Sequence, residues 1–447
     1  MGDRIMLKFG NKMTSSQIII LGFAGVILLG SLLLKLPIST QSGQSPTFSD
    51  ALFTAVSAVC VTGLIVRDTA TFWSPFGQAV ILALIQIGGM GVVTVAAAIT
   101  VISGRKIGLK QRSTMQEAIA APRVGGIVRL TGFIIRTTII IELIGTVILS
   151  AVFCRDMGIG RGIWYGLFHS ISAFCNAGFD LMGAREQFSS LTYYASHPVV
   201  NTAVMALIVT GGIGFLMWED ITEKKHKLGR YRLQSRVILA VTAVLIVLPA
   251  VYFFFFEMQS VPAGKRIWMA LFQSVTPRTA GFNTVDLNEF SESSLAVVIM
   301  LMLTGGAPGS TAGGMKVTTL AAMLSTAICV FRRDDHTNLF GRRIPDETIR
   351  NAATIVTMYL TMFLVGGCII SRTERLPLLT CLFETASAIG TVGLTLGITP
   401  SLSALSRYIL IVLMYTGRVG GLTLIFSAVA STHGKTTRLP QERLTVG

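Results

Sequence analysis

The strongest chemical signal in this 447-residue chain is a set of four glycines at matched positions. Gly63, Gly178, Gly281 and Gly393 each close a short apolar segment marked by a Leu-Phe pair, at Leu52, Leu167, Leu271 and Leu382. The glycine follows that leucine by 11, 11, 10 and 11 residues. A single glycine after an apolar segment is ordinarily a helix C-cap. Four at matched offsets, recurring every 104 to 115 residues, make an internal repeat. Glycine reaches left-handed dihedrals at no steric cost and can turn successive carbonyls inward. At membrane depth those carbonyls find no partner in lipid, and a dehydrated cation can supply one. A ring of carbonyls that replaces the hydration shell is the basis of K+ selectivity. On this reading Val61, Thr62, Gly63, Asn176, Ala177, Gly178, Thr279, Ala280, Gly281, Thr391, Val392 and Gly393 form a filter that binds K+ through backbone carbonyls. The third loop is one residue short and carries Pro277-Arg278, so its register stays open.

A second chemical feature lies in an apolar stretch of almost 40 residues, 293–330. Gly305, Gly306, Ala307, Pro308, Gly309, Ser310, Thr311, Ala312, Gly313 and Gly314 cannot hold a regular helix. Broken backbone at that depth survives only where protein buries it or water lines it, and a loop just below a filter would obstruct the pore as a gate. Glycine pairs recur at the equivalent place in the other repeats, as Gly88-Gly89 and Gly211-Gly212, and as Gly417-Arg418 in the last. Arg418 thus falls near the middle of the last apolar run, where a charge costs roughly 2.5–3.5 kcal/mol. Its expected partners are carbonyls of the 305–314 loop. Lys316 is a second gate contact, nearer the cytoplasmic half. Glu142, within the 126–153 run, is either a functional group or equally a partner for a nearby arginine such as Arg136. His169 is expected on the packing face of its short helix. The five histidines are scattered, and no nucleophile elbow, metal cluster or carboxylate pair supports an enzyme. Gly314-Met315-Lys316 lacks the adjacent Gly-Lys of a phosphate-binding loop.

These residues need elements to hold them in place. Hydrophobic residues make up 51% of the chain and charged ones 13%, with a mean hydropathy of +0.67; soluble domains carry roughly 25% charged residues. Long apolar runs at 17–37, 77–103, 126–153, 198–218, 236–256, 293–330, 349–370 and 403–430 are of membrane-crossing length. The four short segments, near 48–63, 163–178, 267–281 and 378–393, suit re-entrant half-helices. The N-terminus and segments 104–130, 219–236, 331–350 and 432–447 hold 23 of the 37 Lys/Arg residues. The basic side is cytoplasmic, so both termini lie inside and the short segments enter from outside. The fold expected is an all-α polytopic membrane protein with eight spans and four re-entrant pore helices. Its four parallel helix–pore loop–helix repeats, 1–112, 113–235, 236–345 and 346–447, surround a pseudo-fourfold axis along the membrane normal. The net charge of +15 sits in short loops rather than on one face, which argues against nucleic acid. Six scattered cysteines form neither a disulfide framework nor a zinc site.

The fourfold plan, one glycine per pore loop, the glycine-rich break in the third repeat and the arginine in the fourth together resemble the Trk/Ktr/HKT superfamily of K+ transporters. Eight spans without an extra N-terminal pair look most like the membrane subunits of bacterial Ktr systems. The resemblance covers essentially the whole chain. It implies that Gly63, Gly178, Gly281 and Gly393 form the filter, that 305–314 is the gating loop, and that Arg418 contacts it. It also implies K+ uptake through a homodimer in a bacterial inner membrane, one pore per subunit. The dimer would sit on a cytosolic ring of KtrA-type RCK subunits that bind ATP or ADP, with no cofactor on this chain. Serine at a filter glycine marks Na+-selective relatives, so glycine at all four positions favours K+. A Na+-coupled K+ symporter or a Na+-permeable transporter using the same pore is the alternative.

Overall fold

The computed structural model describes residues 13–103, 107–121, 125–421 and 423. The basic lead at Arg4, Lys8 and Lys12 and the tail 432–447 lie outside the described residues. Four long apolar helices are α1 (Ser15–Leu34), α6 (Ile127–Met157), α10 (Leu233–Tyr252) and α14 (Asp346–Glu374). Each is followed by a short apolar helix: α2 (Phe48–Val59), α7 (Ile159–Phe174), α11 (Ala263–Val275) and α15 (Leu378–Gly390). After each short helix come a glycine-ended loop and one or two further helices. These are α3 (Pro75–Met90) with α4 (Val92–Ile102), α8 (Pro198–Gly212) with α9 (Phe215–Lys224), α12 (Glu292–Leu303) with α13 (Val317–Arg332), and α16 (Ala404–Val419). Helix α5 (Leu109–Ile119) lies between α4 and α6.

Local sequence sets these boundaries. Side chains of Ser74, His197, Ser291 and Ser403 accept the N–H three residues on, opening α3, α8, α12 and α16 alike. Thr47 does the same for α2, with Asp50 in its first turn. The layering is that of a membrane protein. The four recurring phenylalanines, Phe53, Phe168, Phe272 and Phe383, are fully buried, which puts the short helices at the centre. The long helices present Leu28, Leu143, Leu248 and Leu364 outward, as suits a hydrocarbon solvent. Helices α2 and α16 pack together, so the last quarter of the chain meets the first. Asp50, with its side chain 3% exposed, holds that contact through Arg407 Nη1 at 3.1 Å and is also paired with Arg67 Nε at 3.1 Å.

The fold departs from expectation at several points. The runs 77–103 and 198–218 are each two helices rather than one, bent by 94° at Gly91 and by 96° at the Ile213–Gly214 break. Gly91 and Gly214 have φ of 85° and 92°, a conformation that side chains resist. Among the described residues, four helices are long and apolar enough to cross a membrane, or six if each bent pair is one span. A two-stranded hairpin, β1 (Asn338–Leu339) with β2 (Arg342–Arg343), interrupts the all-helical plan in the basic segment 331–350.

Candidate functional site: a glycine ring above an intramembrane loop

Helices α2, α7, α11 and α15 end at one place. The chain then takes the same turn four times. A non-glycine residue adopts left-handed dihedrals (Val61 φ 50°, Asn176 φ 57°, Thr279 φ 72°, Thr391 φ 51°), and two residues later the glycine does so too. Gly63, Gly178, Gly281 and Gly393 have φ of 86°, 67°, 80° and 95°. Each glycine also faces the next loop. A methyl on Gly63 would come within 3.0 Å of the Ala177 carbonyl oxygen. One on Gly178 would meet Ala280 O, on Gly281 Val392 O, and on Gly393 Thr62 O, all at under 3.0 Å. The cycle 63–178–281–393 therefore closes, and every glycine sits against the carbonyl that precedes its neighbour. All twelve residues expected as filter are gathered around this ring and buried. Among the described residues, the hydroxyls of Thr62, Thr279 and Thr391 and the amide oxygen of Asn176 have no hydrogen-bond partner.

The short third loop resolves in register. Ser172 Oγ donates to Phe179 O at 2.7 Å, just past Gly178, and Thr276 Oγ1 donates to Phe282 O at 2.6 Å, just past Gly281. Thr276 thus fills the role of Ser172, and the missing residue falls between helix and glycine. Arg278 lies buried there, with Nη2 on Thr242 Oγ1 at 3.1 Å.

The non-helical stretch between Leu303 and Val317 lies against the ring. A methyl on Gly313 would collide with the Thr391 side chain, and one on Gly314 would lie 2.8 Å from Gly390 O. The loop hangs on the broken second helices. Ala307 N–H donates to Gly212 O (2.9 Å), Thr311 N–H to Gly211 O (3.2 Å), Phe215 N–H to Gly309 O (2.7 Å) and Gly314 N–H to Gly417 O (3.1 Å). A bent helix in an apolar run leaves terminal carbonyls and amides without partners; here the loop backbone supplies them. That explains why the bend at Gly214 is invisible in composition.

Arg418 lies in the last turn of α16, two residues before the left-handed Gly420. Its guanidinium donates to Thr311 O in the loop, as expected. It also donates to Gly88 O and Gly89 O at the C-terminus of α3, which the sequence reading did not anticipate. A cation among terminal carbonyls is well placed against two helix dipoles. Lys316 Nζ donates to Ala312 O (2.8 Å) and Gly313 O (3.1 Å). Among the described residues neither cation forms an ion pair. Both line a cavity of about 330 Å³ beside Pro308, Gly309 and Met90.

Glu142 is not paired with Arg136. It accepts from Gln86 Nε2 at 3.2 Å and lies beside the Cys175 thiol. His169 is buried, with Nδ1 on Tyr165 O at 2.7 Å and Nε2 facing Leu181 N–H, as a packing residue. Residue typing missed one tie. Asn176 Nδ2 donates to Thr311 Oγ1 at 2.9 Å, and that hydroxyl donates to Phe174 O at 2.9 Å, which joins ring to loop. The signal available was an amide at a position filled by Val61, Thr279 and Thr391 in the other loops.

A family model described as TrkH, cation transport protein, matches residues 10–436. The chain belongs to this family. Among TrkH-family relatives, potassium/sodium uptake protein NtpJ of Enterococcus hirae is 38% identical over 447 residues, 98% of each chain. Ktr system potassium uptake protein B of Bacillus subtilis is 39% identical over 442 residues, covering 98% of this chain and 97% of that one. The crystal structure of the potassium transporter TrkH from Vibrio parahaemolyticus matches with a TM-score of 0.74 at 19% identity, over 94% of this chain and 85% of that one. At that identity the likeness is one of fold. The TrkH family is one of cation transporters rather than enzymes, and the apolar helices make this member a multi-pass membrane protein.

Proposed function

We propose that this chain is a K+-selective, channel-like transporter that takes up K+ across a bacterial inner membrane. The observation that carries the reading is the closed cycle in which Gly63, Gly178, Gly281 and Gly393 each face a neighbouring loop's carbonyl. The surrounding oxygens, with unpartnered hydroxyls on Thr62, Thr279 and Thr391, suit a dehydrated alkali cation. The helix C-termini aimed at the ring add negative potential. The architecture we infer is four parallel repeats, 1–112, 113–235, 236–345 and 346–447, crossing the membrane eight times with both termini cytoplasmic. In this reading 305–314 is the gate, and Arg418 and Lys316 hold it closed.

Relatives named as Ktr system components support a partner subunit. We assign this chain a homodimer on a cytosolic nucleotide-binding ring of KtrA type, with ATP or ADP bound by the ring. A Na+-coupled or Na+-permeable variant of the same pore is the second reading, favoured by the potassium/sodium name of the Enterococcus relative. One experiment separates them: K+ and Na+ uptake by a K+-transport-deficient bacterium expressing this chain, alone and with a ring subunit. The leading reading predicts saturable K+ uptake without Na+ accumulation, increased by the ring. Stoichiometric Na+ entry would favour the second, and no cation uptake with either would overturn both.

A further inference from the structure

The break in the third second-helix leaves a gap on its outer side. Helix α12 stops at Leu303 and α13 starts at Val317, so nothing helical covers the level between them. A crevice of about 450 Å³ remains, walled by α10, α12, α13 and α14. Its rim is formed by Val244, Leu248, Met300 and Leu360, which are 52%, 65%, 70% and 43% exposed. Its inner end reaches the foot of the 305–314 loop. There Thr304 and Met315 pair as a parallel bridge, and Gly305 N–H donates to Met315 O at 2.7 Å. Tyr359, also in the wall, donates its hydroxyl to Gly417 O at 3.4 Å, the carbonyl that takes Gly314 N–H.

We propose that this crevice holds one acyl chain of a bilayer phospholipid, and that the chain restrains the foot of the loop. The occupant follows from the surroundings. The mouth opens beside α10 and α14, both of membrane-crossing length and apolar, so the phase outside is hydrocarbon. Water is a poor tenant, since a buried water needs two to four polar partners. The wall offers only Thr304 and Tyr359, whose hydroxyls already donate to Met300 O and Gly417 O. Apolar volume next to lipid fills with lipid, because close packing recovers dispersion contacts an open space forfeits. The consequence for function rests on 305–314 being the gate. A loop leaving the pore axis must pivot at Thr304 and Met315, and an acyl chain behind them occupies the room for that pivot.

The test uses the intact chain in nanodiscs containing phosphatidylcholine with a diazirine at mid-acyl depth, photolysed and mapped by mass spectrometry. Adducts on Met315 or Leu303, in addition to Leu248 and Met300 at the rim, are expected. Leu320→Trp, whose indole would fill the crevice from α13 and, unlike an acyl chain, cannot leave it, should abolish the inner adducts. It should also lower K+ flux several-fold in proteoliposomes, at an unchanged K+/Na+ ratio. Adducts confined to the rim in the wild-type chain would overturn the site, whatever the variant does. Loss of the inner adducts with unaltered flux would overturn the coupling. The labelling pattern does not depend on which ion is carried, so a failure of the K+ reading leaves that arm intact.

Discussion

Val61, Thr279 and Thr391 are β-branched residues held at left-handed φ, with Asn176 in the same conformation at the fourth position. Such dihedrals cost of order 1–3 kcal/mol each and persist only where the surroundings over-determine them. Here the ring does so, since each loop packs against the next. Arg418 shows the same economy of placement. Five donors in a planar fork suit several carbonyls at once, and its partners come from the loop and from α3. A fixed positive charge close to a crossing cation raises its barrier by Coulomb repulsion, the more so where protein rather than water surrounds the pair. Arg418→Gln should therefore raise K+ flux at least several-fold, and deletion of 308–313 should do so as well. Both should weaken dependence on a regulatory subunit and leave K+/Na+ discrimination intact. Rb+ influx in cells with matched surface expression reads this. Loss of flux in protein that still reaches the membrane would make the loop structural support.

At the scale of elements, the short helices and their glycines were legible in the sequence because repetition exposed them. A Leu-Phe pair at fixed distance from a glycine needs no neighbour to be recognised, and each phenylalanine is fully buried. The bends of α3–α4 and α8–α9 were not legible. A Gly-Gly pair in an apolar run reads as a tolerated helix defect until the groups that satisfy its carbonyls, the 305–314 loop for α8 and Arg418 for α3, are in view. Glu142 and Gln86 are likewise partners across 56 residues, which no local pattern announces. The contact that closes the bundle was missed for the same reason, since Asp50 and Arg407 are 357 residues apart. Asp50 is buried at the start of α2 and also faces Arg67. Removing one partner of a buried pair costs about 3–5 kcal/mol. Asp50→Ala should lower the thermal unfolding midpoint in detergent clearly more than Arg67→Ala, whose side chain is 49% exposed. Equal, small shifts for both would show that the contact between α2 and α16 does not depend on this carboxylate.

For the whole molecule, charge and the closed ring constrain topology together. In the proposed topology the four short helices enter from the same face. The proposal assigns that face to the outside, because the basic residues of 104–130, 219–236 and 331–350 belong on the cytoplasmic side. Cysteines introduced at Gly108, Leu228 and Phe340 should react with a membrane-impermeant maleimide only from the cytoplasmic side, and one at Phe188 only from outside. Labelling of 108 and 228 from opposite faces would rule out parallel repeats. The central claim is that the ring selects K+, and the ring's geometry makes the test direct. A side chain on Gly281 or Gly393 would sit within 3.0 Å of Val392 O or Thr62 O, so the carbonyl must move. The measurement is competitive uptake of Rb+ against Na+ into proteoliposomes by the wild-type chain and by Gly281→Ser and Gly393→Ser. The account predicts strong exclusion of Na+ by the wild type and at least a tenfold loss of discrimination in either variant, with the protein still folded. Unchanged K+ affinity and unchanged Na+ exclusion in both variants would contradict it.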